Sequence, residues 1–285
     1  MTRLYLIGFL ATAALCLAAQ STAIRKSGGS TVKSESNYFS SIARLQSHPS
    51  SQPKAMLLGS SLTGRLADRG TLHPSIANLG CDGGTAVITL RAIDQGLITP
   101  SPTLVIETNT LSYELEGRGR EIANAIRTPW FSVGKSIPNL SATARPTAFA
   151  YSWLMAKRGE GPTTTPPNPL LQFPNSPNIP TTLPHPSITP QADKLTTELS
   201  AILSRLQKRD LNLILVMLPP GRAPSSIDHQ IAAQLSAKNS IPFWDMSQNL
   251  PPNFPRLHRW HPPRYPKRSP SLRRHHPQDP NPLIP

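Results

Sequence analysis

A chain of 285 residues with 38% apolar content is long enough for one large domain with a sizeable core or for two small ones. Its formal charge of +14 is the kind that seeks a polyanion. The charge is not spread along the chain, however: from Arg256 to Pro285 seven Lys/Arg face a single Asp, in a stretch that also holds eight of the 33 prolines and four of the eight histidines. A surface built for nucleic acid is therefore not expected.

The N-terminus opens on "MTR", a short basic segment, followed by an apolar run of sixteen residues from Leu4 to Ala19. This is the pattern of a signal peptide, with Ser21 and Ala23 as small residues before a cut after Ala23. The same run, left uncut, reads as a membrane anchor. Leu15 stands where a lipidation signal needs a small residue, so Cys16 is read as part of the apolar run. With the leader removed, Cys81 is the only cysteine, no intrachain disulfide can form, and a packed thiol is expected there. The Ser-rich stretch from Ser27 to Ser51 reads as a polar spacer.

Beyond it, strands and helices alternate. "KAMLLGS" (Lys54 to Ser60), "TLVIET" (Thr103 to Thr108) and "LNLILVMLPPG" (Leu211 to Gly221) are near-continuous apolar runs, as expected of strands covered on both faces. "SIANLG" and "IPFWDMS" read as shorter members of the same sheet. Between the long strands, "ADKLTTELSAILSRLQKRD" places Leu195, Leu199, Ile202, Leu203 and Leu206 on one helical stripe. Such alternation predicts an α/β fold, a three-layer α/β/α sandwich around a mostly parallel sheet. The stretch Arg127 to Gly161 reads as a helical insertion whose Trp130, Phe131, Phe149, Tyr151 and Trp153 either pack in the core or offer apolar contacts over a site, the former favoured by the usual burial of large apolar groups. Gly161 to Pro190 carries ten prolines without periodicity and reads as a long exposed loop, with a lid or a partner-binding segment as the alternative. The predicted organisation is a leader or anchor over 1–23, a polar linker over 24–52, one domain over 53–255 interrupted by the loop 161–190, and a disordered basic tail over 256–285.

In a parallel sheet, ligands bind outside the carboxyl ends of the strands. Ser60 and Ser61 lie at such an end, where a strand-to-helix turn exposes a hydroxyl beside backbone N–H groups. A Gly-Ser-Ser turn is equally a loop and helix cap. Three segments in register tilt this balance. "GSSLT" (Gly59 to Thr63), "NLGCDGGT" (Asn78 to Thr85) and "VIETNTL" (Val105 to Leu111) together resemble the first three sequence blocks of the SGNH, or GDSL-type, hydrolases, a superfamily of esterases and lipases with a flavodoxin-like sheet. The resemblance covers Lys54 to Leu115 and Leu211 to Leu250.

The resemblance implies that Ser61 attacks an acyl carbon, and that the backbone N–H groups of Ser61 and Gly83 and the side-chain amide of Asn109 hold the oxyanion. By themselves Gly83 is also a turn glycine and Asn109 also a helix cap. Ser60 stands where the family has Asp, and Thr110 follows Asn109 where the family has Asp. No cofactor or metal is implied; the implied substrate is an ester-bearing small molecule or polysaccharide, met outside the cell or at a membrane held by the N-terminal segment. Acetyl transfer onto a surface polysaccharide uses the same serine chemistry and is not separated from hydrolysis by sequence.

The fourth family block, Asp-x-x-His, supplies the general base and the group that orients it. It does not occur: Asp228 and His229 are adjacent and upstream of the last strand, and Asp245 lies just after that strand without a matching histidine. Its place falls in "NLPPNFPRLHRWHPPRYPKRSP", where composition turns abnormal. Read one base out of frame, Trp260 followed by His261 forces a glycine codon, since TGG-CAY contains GGC. One choice of codons from Arg256 then reads Ala-Phe-Thr-Asp-Gly-Thr-His-Leu-Asp-Thr-Pro-Ser-Ala, which holds the missing block and could begin a closing helix. The expectation is a frameshift near Pro255 that deprives the chain of its acid/base pair. The rival reading takes the tail at face value, as the basic arm of an exported, non-catalytic domain that binds an anionic polymer or surface. His258, His261, His275 and His276 lie among Arg and Pro with only Asp279 nearby, a poor ligand set for a metal.

Overall fold

All five apolar runs form strands, because each buries side chains on both faces of one sheet. In this computed structural model the described residues are 2–26, 34–47, 53–68, 73, 75–157, 189–219 and 225–246. The strands are β1 (Ala55–Gly59), β2 (Ile76–Gly80), β3 (Thr103–Glu107), β4 (Asn212–Met217) and β5 (Phe243–Asp245). They pair in parallel in the order β2-β1-β3-β4-β5, with Leu58 opposite Leu79 and Ile106, and Ile106 opposite Leu215. The predicted α/β sandwich with its flavodoxin-like strand order is thus the fold observed.

Nine α-helices are described, α1 (Thr2–Lys26), α2 (Asn37–Gln46), α3 (Ser61–Asp68), α4 (Ala86–Asp94), α5 (Arg120–Ile126), α6 (Pro129–Ser136), α7 (Pro146–Lys157), α8 (Pro190–Gln207) and α9 (Ile227–Asn239). The chain steps outward from β1 to β2 and then back across β1 to β3, β4 and β5. Right-handed crossovers therefore send α3 to one face and α4, α8 and α9 to the other. The side chains obey this division. Met56, Leu58, Leu104, Ile106, Leu213, Leu215 and Phe243 join the large core with α4, α8 and α9, whereas Val105, Val216, Leu218 and Trp244 meet Leu62 and Leu66 of α3. The predicted stripe Leu195, Leu199, Ile202, Leu203, Leu206 is buried throughout, and α8 starts two residues earlier than its stripe suggested, at Pro190, capped by Thr189.

Two expectations change. The Ser-rich spacer contains α2, whose Ile42, Ala43 and Leu45 belong to the core, so this part of the stretch is domain and not tether. It is fastened at both ends: Arg44 Nε donates to the Gly80 carbonyl at 2.8 Å and its guanidinium pairs with Asp82 at 2.7 Å, while Glu35 before the helix pairs with Arg145 of the insertion at 2.6 Å. The aromatic residues of the insertion do not share one role. Phe131 is core, Phe149 and Tyr151 are half-buried, and Trp130 and Trp153 are exposed. The Pro-rich loop up to 188 and the basic tail 256–285, with the out-of-frame segment, lie outside the described residues.

Candidate active site

The site forms where β1, β2 and β3 end side by side. Ser60 leaves β1 and Ser61 is the first residue of α3, so the first turn of that helix crosses directly over the strand ends. That crossing needs bare backbone beneath it. Gly59 and Gly80 are partners across β1 and β2. A Cβ on Gly59 would sit 2.0 Å from Thr63 Oγ1 and 2.3 Å from Glu107 Oε2, and one on Gly80 would sit 2.4 Å from the Gly64 nitrogen. Gly59 of the first sequence block and Gly80 of the second are thus set by space.

The hydroxyls at the strand end have different fates. Ser60 is buried. Its N–H donates to Glu107 Oε2 at 2.8 Å, its hydroxyl donates to Glu107 Oε1 at 2.7 Å, and its Oγ accepts from the Leu62 N–H at 3.2 Å, capping α3. Thr63 completes the shell, its N–H and hydroxyl both donating to Glu107 Oε2 at 3.2 and 2.5 Å. A fully buried carboxylate thus takes four hydrogen bonds from one turn, two from backbone N–H groups and two from hydroxyls. Ser61 remains half-buried at the helix N-terminus, and among the described residues no hydrogen bond engages its hydroxyl.

The second block is equally fixed. Asn78 donates from Nδ2 to the Thr63 carbonyl at 2.7 Å and accepts from the Gly80 N–H at 2.9 Å, tying β2 to α3. Cys81 N–H donates to the Gly59 carbonyl at 2.8 Å, and Asp82 N–H donates to Ser41 of α2 at 2.8 Å. Gly83 takes a left-handed φ of +76°, and the space its Cβ would occupy is open. Thr85 then caps α4 by accepting from the Val87 N–H at 3.2 Å. Cys81 is the packed thiol expected of it: burial pushes it up to about 11, against a weaker opposing pull from its contact with Thr89.

In the third block, Asn109 is buried and clasped by β4's end. Its Nδ2 donates to the Leu218 carbonyl at 2.7 Å and its Oδ1 accepts from the Leu218 N–H at 2.8 Å. It does not cap the following 3-10 turn Leu111–Glu114, whose capping position is Thr110. The structure therefore places Ser61 and Gly83 beyond the carboxyl ends of the adjacent strands β1 and β2, and holds Asn109 beyond β3 in a backbone-bridging role.

Among the described residues the histidines are His73 and His229. His73 lies before β2, bonded to Ser75 at 2.8 Å, at the amino end of the sheet and so about 16 Å from Ser61 along a five-residue strand. His229 packs edge-on against Phe243 and its Nε2 is 3.4 Å from Asp245 Oδ2. This pair sits at β5, three strand spacings or about 14 Å from β1. Asp228 points elsewhere, accepting the Ser112 N–H at 2.6 Å. Among the described residues no hydrogen bond joins any of these groups to Ser61.

Glu107 went unnamed at the sequence level, although it was visible as a lone acid closing the apolar run "TLVIE". Neither a family model, nor a curated protein, nor a solved structure matches the chain.

Proposed function

We propose that the domain is an SGNH-like serine hydrolase acting on carboxylic esters, with Ser61 as nucleophile. What carries the reading is the division between adjacent hydroxyls: Ser60 is spent on Glu107, while Ser61 is half-exposed at a helix N-terminus over the carboxyl ends of a parallel sheet. Ser61 Oγ bonds to the acyl carbon as the carbonyl π pair moves onto oxygen. The N–H groups of Ser61 and Gly83 receive that charge, with Asn109 as the third donor implied by the family likeness. The serine proton passes to a base and on to the departing alkoxide, and water then cleaves the acyl-serine. The base in this reading is the histidine of the out-of-frame Asp-Gly-Thr-His. The chain as it stands keeps only the residual catalysis of an oxyanion site and binding. The N-terminal helix directs the domain to a membrane or across it, where the substrate is an ester-bearing small molecule or polysaccharide.

The test begins with resequencing the gene across the codons for Leu250 to Pro285. The chain and a frame-restored version are then assayed with 4-nitrophenyl acetate, each with and without Ser61→Ala. The expected result is a gain of about 10³-fold or more on restoring the frame, abolished by Ser61→Ala. No gain on restoration, or a gain indifferent to Ser61→Ala, overturns the reading.

A further inference from the structure

The helix α1 is apolar and exposed, and the way it meets the domain fixes which surface lies against the bilayer. Arg3–Ala23 is long and apolar enough to cross a membrane, and at about 1.5 Å per residue it matches a hydrocarbon core of about 30 Å. The side chains of α1 are exposed from Arg3 to Ala19 except Ala13, and the helix packs against the turns Pro138–Leu140 and Ala142–Ala144. There Gln20 Nε2 donates to the carbonyls of Asn139, at 2.9 Å, and of Ala144, and Asn139 Nδ2 donates to Ser21 Oγ at 2.6 Å. These contacts come immediately after Ala19, the last residue of the unbroken apolar run. The dock thus lies within the last turn of the candidate span, whose unbroken apolar run covers about 24 Å at about 1.5 Å per residue.

The surface beside the dock is apolar. Outside α1, seven large apolar side chains are exposed among the described residues, and five of them fall here: Trp130 (76%), Trp153 (52%), Leu154 (51%), Ile137 (48%) and Leu140 (47%). Ile137 and Leu140 flank Asn139 itself, while Trp130 and Trp153 belong to α6 and α7, which pack against the same pair of 3-10 turns, Pro138–Leu140 and Ala142–Ala144, that receives α1. Exposed tryptophan beside aliphatic side chains at the end of a spanning helix is the composition of a membrane-interface belt. Scattered exposed apolar groups need no explanation, but five on or beside the elements that meet the turns receiving an apolar helix do.

We infer that α1 is retained and that the surface formed by Trp130, Ile137, Leu140, Trp153 and Leu154 rests on the lipid bilayer, seated at the depth of the headgroups. The domain is then clamped against the membrane and does not swing on a tether. This rests on the anchored form of the localisation proposed above and is independent of the chemistry of Ser61.

Tryptophan fluorescence tests it, because α1 contains no tryptophan. The full chain is reconstituted into phosphatidylcholine/phosphatidylglycerol vesicles with and without lipids brominated near the headgroup end of the acyl chain. The expected result is strong quenching in the wild type that falls at least severalfold in the Trp130→Phe/Trp153→Phe variant, with circular dichroism unchanged. Equal quenching in wild type and variant overturns the inference, as does quenching of these tryptophans by aqueous acrylamide alone. The intact mass of the membrane-bound protein from cells supplies the second reading. A mass that includes residues 1–23 supports the inference, and a chain beginning at residue 24 overturns it.

Discussion

The Glu107 carboxylate holds Ser60 at two points, with Oε2 on its N–H at 2.8 Å and Oε1 on its hydroxyl at 2.7 Å. Through this one contact the end of β3 sets the path of the chain leaving β1, and with it the direction in which Ser61 faces. Adjacent serines are therefore expected to differ sharply on substitution. Ser60→Ala removes a buried donor from a charged acceptor and is expected to lower stability by about 1–3 kcal/mol. Ser61→Ala is expected to change it by less than about 0.5 kcal/mol. Urea denaturation of the two variants, compared at constant slope, checks the contrast.

Glu107→Ala leaves two backbone N–H groups and two hydroxyls buried without their acceptor. The expected loss is about 4 kcal/mol, within the range seen when a buried charge network loses its centre. A variant that unfolds with the wild-type urea midpoint would show that the turn is held by other means.

Gly59→Ala places a methyl group 2.0 Å from Thr63 Oγ1 and 2.3 Å from Glu107 Oε2. Neither neighbour can move without breaking the shell around the carboxylate, so the expected cost is about 3 kcal/mol. Gly83→Ala is the matched control, since its Cβ meets open space and only the left-handed φ resists it, at about 1 kcal/mol. Thermal melting of the two variants gives the order.

Cys81 is expected to stay unlabelled by iodoacetamide at pH 8 in the folded protein, because its thiol is buried and pushed up to about 11. Cys16 is exposed and should label under the same conditions once detergent replaces lipid. Peptide mass mapping before and after urea distinguishes them, with Cys81 appearing only in the unfolded sample.

Glu35 gives a pH dependence. Desolvation pushes its carboxyl up, but hydrogen bonds from Ser34, its own backbone, Arg145 and Thr147 outweigh that and hold it at about 2, against 4.5 when free. A carboxyl lowered by folding adds stability that is complete above the free value and lost as pH falls through the folded one. The difference in Tm between wild type and Glu35→Gln should therefore be constant above about pH 5 and shrink as pH falls towards about 2. A difference that does not vary over this interval would sink the assignment.

Much of the fold was legible because each strand is a contiguous apolar run and α8 carries its stripe in its own residues. The turns that follow β1 and β2 at Ser61 and Gly83 were legible for a related reason, since each carries its own local signature. Glu107 was not read, because its donors lie 44 and 47 residues upstream and nothing adjacent to it announces them. The helix α2 was hidden in the same way. Its polar composition suits a tether until Arg44 finds Asp82 and Gly80 across the fold, and no local pattern foretells a pairing at that separation. Size alone assigns Trp130 and Trp153 to the core, whereas both stand exposed on α6 and α7.

The strand order carries a consequence for how the chain reaches its native state during synthesis. Every group of the Glu107 shell lies between Ser60 and Glu107, whereas β3 meets β4 only across 109 residues, Thr103 against Asn212. The closure entropy of the longer connection is greater by only about 0.7 kcal/mol, but its partner strand is translated far later. The turn held by Glu107 can therefore assemble on the nascent chain while the second half of the sheet is still inside the ribosome. The last strands then dock onto a turn that is already formed, and Leu218 at the end of β4 adds the clasp on Asn109.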